Sequence, residues 1–340
     1  MERLLEVKDL EVSFSTYAGE VQAVRGVSFH QSRGETLALV GESGCGKTVS
    51  VHAIVKLMPM PPGRIKRGQI VFDGRDLTAL SKKEMERVRG REIGIIFQDP
   101  MTALNPTMTV GRQITEGLIK HQGMTSRQAW SRALELMHMV GIPAPEDRIR
   151  NYPHQFSGGM RQRVMISIAL ACNPKLLIAD EPTTGLDVTI QAQILDLLKD
   201  LQRKLGTSII LITHDLGVVA GMAQRTAVMY AGRIVESGTN DDIFYRPHHP
   251  YTWGLMRAVP RLDREITEDL HAIPGTPPDL FNPPVGCAFA ARCPYSMKVC
   301  FRYYPEQTEV APGHFVSCWL EHPAAPKVRP PLEEVAAGGR

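Results

Sequence analysis

Residues 41–48 have the sequence GESGCGKT and lie between an apolar run, TLALV, and a segment with helical character. The spacing G-x-x-x-x-G-K-T lets backbone N–H groups surround a phosphate at the start of a helix, whose dipole favours an anion. Lys47 is expected to reach the β- and γ-phosphate oxygens, and the Thr48 hydroxyl to bind a Mg²⁺ ion. The loop supplies the first candidate nucleotide-binding residues: Gly41, Glu42, Ser43, Gly44, Cys45, Gly46, Lys47 and Thr48.

Polar side chains follow three other apolar runs. In LLIADEP the run ends in Asp180 and Glu181. Asp180 is expected to hold Mg²⁺, and Glu181 to polarise the attacking water as a general base. Gln98 follows EIGIIF, and His214 follows SIILIT. With a phosphate loop upstream, Gln98 is a candidate for sensing Mg²⁺ and water, and His214 for contacting the γ-phosphate.

A second anion-binding helix terminus is indicated by FSGGMRQR, residues 156–163. Ser157 is predicted to cap the following helix, RVMISIALAC, because serine accepts hydrogen bonds from the first turn. Gly158 and Gly159 leave backbone N–H groups exposed for an anion. Two such termini in one chain favour a nucleotide held at more than one point.

Strand-like runs and helical stretches alternate along the first 245 residues or so. This alternation favours an α/β fold with a mainly parallel sheet, preceded by an antiparallel N-terminal subdomain. A helical subdomain is predicted over about residues 100–170, with a capping box at Thr125 and Gln128. A further helix is predicted over residues 187–205, ended by Gly206.

Composition places few limits on function. The chain has 340 residues and a formal net charge of +3, which is too small to indicate nucleic acid as a partner. No apolar run approaches the length of a membrane span, and the N-terminus MERLLEVKDL has no secretory signal. The expected location is therefore cytoplasmic.

Proline becomes frequent after about residue 247, which predicts a boundary near 245–260. Residues 1–245 are then a nucleotide-binding domain, 246–322 a small irregular C-terminal domain, and 323–340 a flexible tail. The C-terminal domain has few periodic apolar residues, so little core burial is expected there.

Four of the six cysteines lie in this C-terminal domain, separated by five, six and seventeen residues. No C-x-x-C pair is present, which disfavours a common zinc ribbon. Soft thiolates suit a cuboidal [4Fe-4S] cluster, with Zn²⁺ or unligated thiols as the alternatives. The candidate ligands are Cys287, Cys293, Cys300 and Cys318.

Six motifs in order resemble the ATP-binding subunits of ABC transporters over about residues 4–245: GESGCGKT, Gln98, FSGGM, LLIADEP, GLD at 185–187, and His214. The resemblance implies a head-to-tail pair of nucleotide-binding domains. ATP and Mg²⁺ would lie between the phosphate loop of one and Ser157, Gly158 and Gly159 of the other, with Asp187 at the interface. Thr48, Gln98 and Asp180 would bind the Mg²⁺. The adenine-stacking aromatic residue is expected between the first two strands, with Tyr17 first and Phe14 second.

The segments RPHHPYTWGLMRAVP and IIFQDPMTALNP are similar to those of oligopeptide and dipeptide transporter ATPases, which extends the resemblance to about residue 322. It implies an ATPase that powers import of peptides from the cytoplasmic face of the inner membrane. It also implies three kinds of partner: a second ATPase subunit, two permease subunits and an extracytoplasmic solute-binding protein. A heterodimer of ATPases is favoured over a homodimer, and some related subunits carry an iron–sulfur cluster.

Other functions remain open on the sequence. Importers of nickel, glutathione or sugars use similar ATPases. A soluble ABC ATPase acting on nucleic acid or the ribosome is the alternative from another class, although such proteins usually have two motif sets, a long coiled coil or basic patches. An iron–sulfur oxidoreductase would leave the ATPase motifs unexplained.

Overall fold

The computed structural model describes residues 2–258 and 273–331. The strands of this described part are β1 Arg3–Thr16, β2 Gly19–Ser32, β3 Thr36–Val40, β4 Gly63–Phe72, β5 Arg75–Asp76, β6 Ile93–Ile96, β7 Leu176–Asp180, β8 Ser208–Thr213, β9 Arg225–Tyr230, β10 Arg233–Thr239, β11 Thr308–Ala311 and β12 His314–Val316.

The α-helices of the same residues are α1 Lys47–Ile54, α2 Lys82–Val88, α3 Pro100–Ala103, α4 Val110–Gln122, α5 Ser126–Met139, α6 Pro145–Arg148, α7 Gly158–Leu170, α8 Val188–Leu205, α9 Leu216–Met222, α10 Asn240–Tyr245, α11 Pro250–Arg257 and α12 Lys298–Arg302. Short 3₁₀ turns lie at Pro153–Gln155 and Trp319–Glu321.

The chain divides into two compact units. Unit 1 consists of residues 2–5, 30–36 and 71–212. Its sheet has β6, β7 and β8 in parallel order, with Ile178 opposite both Ile95 and Ile210. Every residue of β7 and β8 is buried. Strands covered on both faces require such continuous apolar runs. Helices α3 to α7 form the insertion between β6 and β7.

Unit 2 consists of residues 6–29, 37–70 and the described part of 213–340. In it β3 pairs with β9 in parallel, and β10 pairs with β9 antiparallel. The N-terminal strands are neighbours in the order β2, β1, β4. The predicted fold class, a mainly parallel core with an antiparallel N-terminal sheet and a helical insertion, is confirmed.

Two local predictions about helices are also confirmed. Thr125 and Gln128 form a capping box at the start of α5. Asp187 caps α8, and Gly206 ends that helix with φ of 66°. Both signals are local in sequence, because a cap satisfies N–H or C=O groups within its own terminal turn.

The C-terminal region differs from its sequence-based description. It contributes α11, α12 and a β11–β12 hairpin, whose strand β12 extends the sheet by pairing with β10. Tyr251 and Phe289 are buried in one apolar cluster with Val40 and Val228. Little core burial was expected here, because these residues lack periodicity. They reach the core from separate segments, Tyr251 from α11 and Phe289 from a turn before α12. Residues 332–340 of the predicted tail lie outside the described residues.

Candidate functional site

The phosphate loop, residues 41–48, follows the fully buried strand β3 and leads into α1 in unit 2. Gly41 and Gly46 have φ of 149° and 100°, conformations that side chains disfavour. A Cβ atom on Gly41 would lie 2.2 Å from the Met229 carbonyl oxygen, and one on Gly46 2.4 Å from that of Ala23. Both positions therefore require glycine, because the loop backbone lies directly against neighbouring main chain.

Lys47 is buried, and its ammonium group turns back onto the loop. Its Nζ donates to the carbonyl oxygens of Gly41 at 2.7 Å and Glu42 at 3.0 Å. The Cys45 thiol is buried beside it, and burial raises the pKa of that thiol. Cys45 therefore acts as a small packing residue, with its thiol kept protonated.

Glu42 contacts two residues of the C-terminal region that the sequence did not indicate. Its backbone N–H donates to the Tyr251 hydroxyl at 2.8 Å. Its carboxylate accepts two hydrogen bonds from Arg292, at 2.6 and 2.9 Å. The ion pair raises the pKa of Arg292. Arg292 follows Glu42 by 250 residues in sequence, so no local pattern indicates the pair.

The acidic pair lies in unit 1 at the end of β7. Asp180 is 3% exposed, and Glu181 follows it with φ of 46°. The Glu181 N–H donates to the Ile212 carbonyl oxygen at 2.9 Å. Its Oε2 accepts from Gln98 Nε2 at 3.0 Å and from the Thr184 hydroxyl at 2.9 Å. Gln98 and Glu181 are therefore brought together after the neighbouring parallel strands β6 and β7.

The serine–glycine turn, residues 157–159, begins α7 in the same unit. Ser157 caps this helix as predicted, accepting from the Met160 N–H at 3.4 Å, and both Ser157 and Gly158 are exposed. A Cβ on Gly159 would lie 2.8 Å from Ile190 Cγ2 of α8. The small residue thus allows α7 to approach α8 closely.

Gln162 is a residue of this region that sequence reasoning missed. It is 2% exposed, and its Nε2 donates to the Pro182 carbonyl oxygen at 2.6 Å. It thereby ties α7 to the loop that follows Glu181. A glutamine on the buried face of a helix is the signal in the sequence, because such a group needs a polar partner.

The remaining predicted residues lie at separate places. Asp187 accepts from the Ile190 N–H at 2.9 Å as the α8 cap. Tyr17 is fully exposed in the turn between β1 and β2. Phe14 lies against the Gly63 backbone, 2.9 Å from a Cβ built there. His214 is exposed between β8 and α9. The candidates are thus divided between the two units, with Tyr17 and His214 in unit 2.

The four C-terminal cysteines line one small cavity in unit 2, as their grouping in sequence indicates: Cys287, Cys293, Cys300 and Cys318. Burial raises the pKa of both Cys287 and Cys293 to about 11. His249 lines the same cavity and is 1% exposed. Within the described residues its Nε2 has no hydrogen-bond partner, while its Nδ1 accepts from the Tyr251 N–H at 3.0 Å.

The sequence predicts either a [4Fe-4S] cluster or a zinc ion for these four cysteines. Among residues 2–258 and 273–331, no group of three or more His, Cys, Asp or Glu side chains is spaced to hold a single metal ion. In a [4Fe-4S] cluster each thiolate binds a different iron, so the four sulfurs are further apart. The four thiols line one cavity with the His249 ring, and soft sulfur ligands are of the chemical type that such a cluster takes.

Together, the phosphate loop, the acidic pair and the serine–glycine turn define an ABC-type P-loop ATPase. The ABC transporter family matches residues 24–184, and the oligopeptide/dipeptide transporter C-terminal region matches residues 235–300. The chain is 66% identical to the oligopeptide transport ATP-binding protein OppD of Bacillus subtilis (strain 168), covering 97% of this chain and 92% of that protein. It is 59% identical to the dipeptide transport ATP-binding protein DppD of the same organism, covering 94% and 96%.

A solved structure of the ATP-binding cassette MJ0796, a dimer in a post-hydrolysis state with ADP and Pi, is 28% identical with a TM-score of 0.63. The match covers 69% of this chain and 98% of the MJ0796 chain. The chain belongs to the family of ATP-binding subunits of oligopeptide and dipeptide ABC transporters. In the part of the chain that the structure describes, no helix has the length and apolar character needed to cross a bilayer.

Proposed function

We propose that this chain hydrolyses ATP to power the import of dipeptides or oligopeptides. Membership in the family and relatives named for oligopeptide and dipeptide transport support this substrate class. The observation that carries the ATPase assignment is the phosphate loop, in which Gly41 and Gly46 leave no room for a side chain. The positive φ of both glycines also allows the backbone N–H groups of the loop to turn towards one phosphate.

Each chemical step is assigned to residues of this chain. Lys47 and the loop N–H groups would hold the β- and γ-phosphates, and Thr48, Asp180 and Gln98 would supply oxygen ligands for a Mg²⁺ ion. Glu181 accepts the proton of the attacking water, and Gln98 orients its carboxylate through the 3.0 Å hydrogen bond. His214 contacts the γ-phosphate, and Tyr17 stacks on adenine.

The exposed N-terminus of α7 receives the phosphate of a neighbouring ATPase domain. Ser157 and Gly158 are both exposed there. Helix N-termini favour anions through their dipole and unpaired N–H groups. The dimeric cassette bound to ADP and Pi supports a paired arrangement. Asp187 would then lie at the interface between the two ATPase domains. Its neighbour Val188 is 83% exposed.

The partners are a second ATPase subunit, two membrane permeases and an extracytoplasmic binding protein. The chain would act at the cytoplasmic face of the inner membrane. Phe97 and Met101 are 38% and 60% exposed on either side of Gln98 and Asp99. Exposed apolar side chains next to a catalytic residue suit a contact that transmits motion to a permease.

The four-thiol cavity is proposed to hold a [4Fe-4S] cluster with Cys287, Cys293, Cys300 and Cys318 as ligands. The cluster would cross-link three separate segments of the C-terminal region, a structural contribution. His249 would donate a hydrogen bond from Nε2 to a sulfur atom, which accounts for its position in the cavity.

Affinity purification of the tagged chain from native membranes tests the transport assignment. We expect two permease subunits and a second ATPase to be recovered with it, and peptide-stimulated ATP hydrolysis by the assembly in liposomes containing the binding protein. Recovery with ribosomes or DNA, without permeases, would contradict transport. Stimulation by sugar or nickel and not by peptides would reject the substrate class alone.

A further inference from the structure

Glu42 is a half-buried residue of the phosphate loop whose N–H, carbonyl and carboxylate groups all form hydrogen bonds. Its carbonyl oxygen accepts from the Cys45 N–H at 3.3 Å and from Lys47 Nζ at 3.0 Å. Its N–H and carboxylate are bound from the C-terminal region by Tyr251 and Arg292. The next two residues, Ser43 and Gly44, are exposed. Glu42 therefore fixes the loop at the point where it leaves its strand.

Arg292 uses all five of its N–H donors in this position. Besides the two hydrogen bonds to Glu42, it donates to the Tyr230 hydroxyl at 3.1 Å. It also donates to the carbonyl oxygens of Pro274 at 2.9 Å and Ile273 at 3.2 Å. The residue is 8% exposed. A guanidinium presents five donors in a fixed plane, so lysine does not reproduce this set.

Tyr251 is held beside Glu42 by a second set of hydrogen bonds, which does not include Arg292. The buried carboxylate of Glu236 on β10 accepts from the backbone N–H groups of His248 and His249, at 2.7 and 3.0 Å. His249 then caps α11. This arrangement places Tyr251, itself fully buried, with its hydroxyl at the Glu42 N–H. The HHPY segment, residues 248–251, therefore places the hydroxyl group that binds the phosphate loop.

We propose that Arg292 and Tyr251 are positioning residues for nucleotide binding, through which the C-terminal region orders the phosphate loop and neutralises the one carboxylate within it. Glu42 carries a negative charge in a loop that must accept a polyphosphate, and an unpaired carboxylate there repels the ligand. The bidentate pair removes that repulsion and fixes the loop backbone at the same time.

Equilibrium binding of a fluorescent ATP analogue to the full-length chain tests this proposal. Arg292→Gln is expected to weaken binding about tenfold or more, equivalent to about 1.4 kcal/mol. The double variant Arg292→Gln/Glu42→Gln is expected to regain much of that affinity, because it removes the unpaired charge. Arg292→Lys is expected to bind the ATP analogue as weakly as Arg292→Gln does. A single ammonium group cannot replace the five donors that the guanidinium places.

The matched control is Arg302→Gln, which removes the same charge from an exposed position on α12 of the same region. This control variant is expected to bind the ATP analogue with the same affinity as the unaltered chain. Equal affinity for Arg292→Gln and Arg302→Gln would overturn the proposal. Failure of the double variant to recover any affinity would overturn the electrostatic part.

A second variant keeps the test decisive if Arg292→Gln does not fold. Tyr251→Phe retains the buried ring and removes only the oxygen that accepts from Glu42. Amide hydrogen exchange over residues 41–48 is expected to be faster in this variant by about tenfold. Unchanged exchange and unchanged ATP affinity would overturn the proposal. The inference rests on the proposed phosphate-binding role of the loop, and absence of ATP binding by the unaltered chain would reject that role instead.

Discussion

Gln98 donates a hydrogen bond from Nε2 to Oε2 of Glu181, over 3.0 Å. The Thr184 hydroxyl donates to the same oxygen at 2.9 Å. The two donors fix the orientation of the carboxylate that we assign as the general base. A glutamine that is also a proposed Mg²⁺ ligand is therefore connected to the base by one contact. Binding of the nucleotide at Gln98 would therefore affect the position of Glu181 directly, through this hydrogen bond.

Replacing the base should separate ATP binding from hydrolysis. Glu181→Gln is expected to retain ATP affinity and to lower turnover by about 10² or more, the contribution typical of a general base. Single-turnover hydrolysis by the assembled transporter and nucleotide binding by the same preparation measure the two effects. Near-normal turnover would reject the role of Glu181.

Removing the orienting amide should have a smaller effect than removing the base. Gln98→Ala is expected to lower turnover about tenfold while leaving Glu181 able to accept a proton. Turnover at saturating ATP is the measurement, and repeating it across Mg²⁺ concentrations shows whether metal affinity also falls. A loss as large as that of Glu181→Gln would mean that Gln98 does more than position the base.

The phosphate loop should not tolerate a methyl group at Gly46. Gly46→Ala is expected to abolish ATP binding, because its Cβ would lie 2.4 Å from the Ala23 carbonyl oxygen. Gly34→Ala is the control: Gly34 also has a positive φ, 70°, but no atom lies within 4 Å of the Cβ position. The control should lose about 1 kcal/mol of stability and keep its ATP affinity. Unimpaired binding by Gly46→Ala would show that the loop rearranges freely.

The cavity cysteines should determine the metal content. Anaerobically purified protein is expected to be brown, with about four irons and four sulfides per chain. Cys293→Ser should lose this colour and lower the melting temperature, whereas Cys172→Ala, outside the cavity, should retain the iron. Iron and acid-labile sulfide analysis measures the outcome. A colourless protein with stoichiometric zinc would contradict the iron–sulfur assignment.

Stability should depend on pH through His248. The hydrogen bond that the His248 ring donates to the Glu321 carboxylate raises the pKa of His248. The negative charges of Glu321, Glu236 and Asp242 also raise this pKa, whereas burial lowers it. A raised folded-state pKa adds stability below the unfolded value of about 6.5, and this stability is lost as pH rises through the folded value. Glu321→Gln should therefore lower the urea midpoint more at about pH 6 than at about pH 8.5. An equal decrease at both pH values would exclude this linkage.

The sequence by itself determined the parts of the site that are contained in one strand, loop and helix. The spacing of Gly41, Gly46 and Lys47 specifies a phosphate loop, and Ser157 specifies a helix cap, because both are satisfied by hydrogen bonds within a few residues. The parallel strands were also predictable, since β7 and β8 are continuous apolar runs ending in polar residues.

Only the tertiary structure decided which distant residues hold those parts in place. Arg292 lies among prolines and cysteines with no periodic signal, yet it closes an ion pair with Glu42 across 250 residues of sequence. Gln162 and Pro182 likewise meet through packing of α7, and the four thiols line one cavity only when separate segments of the C-terminal region fold together. Local patterns follow from backbone hydrogen bonding within one turn. Long-range pairs depend on how side chains from unrelated segments fill the same buried space, which no spacing in the sequence encodes.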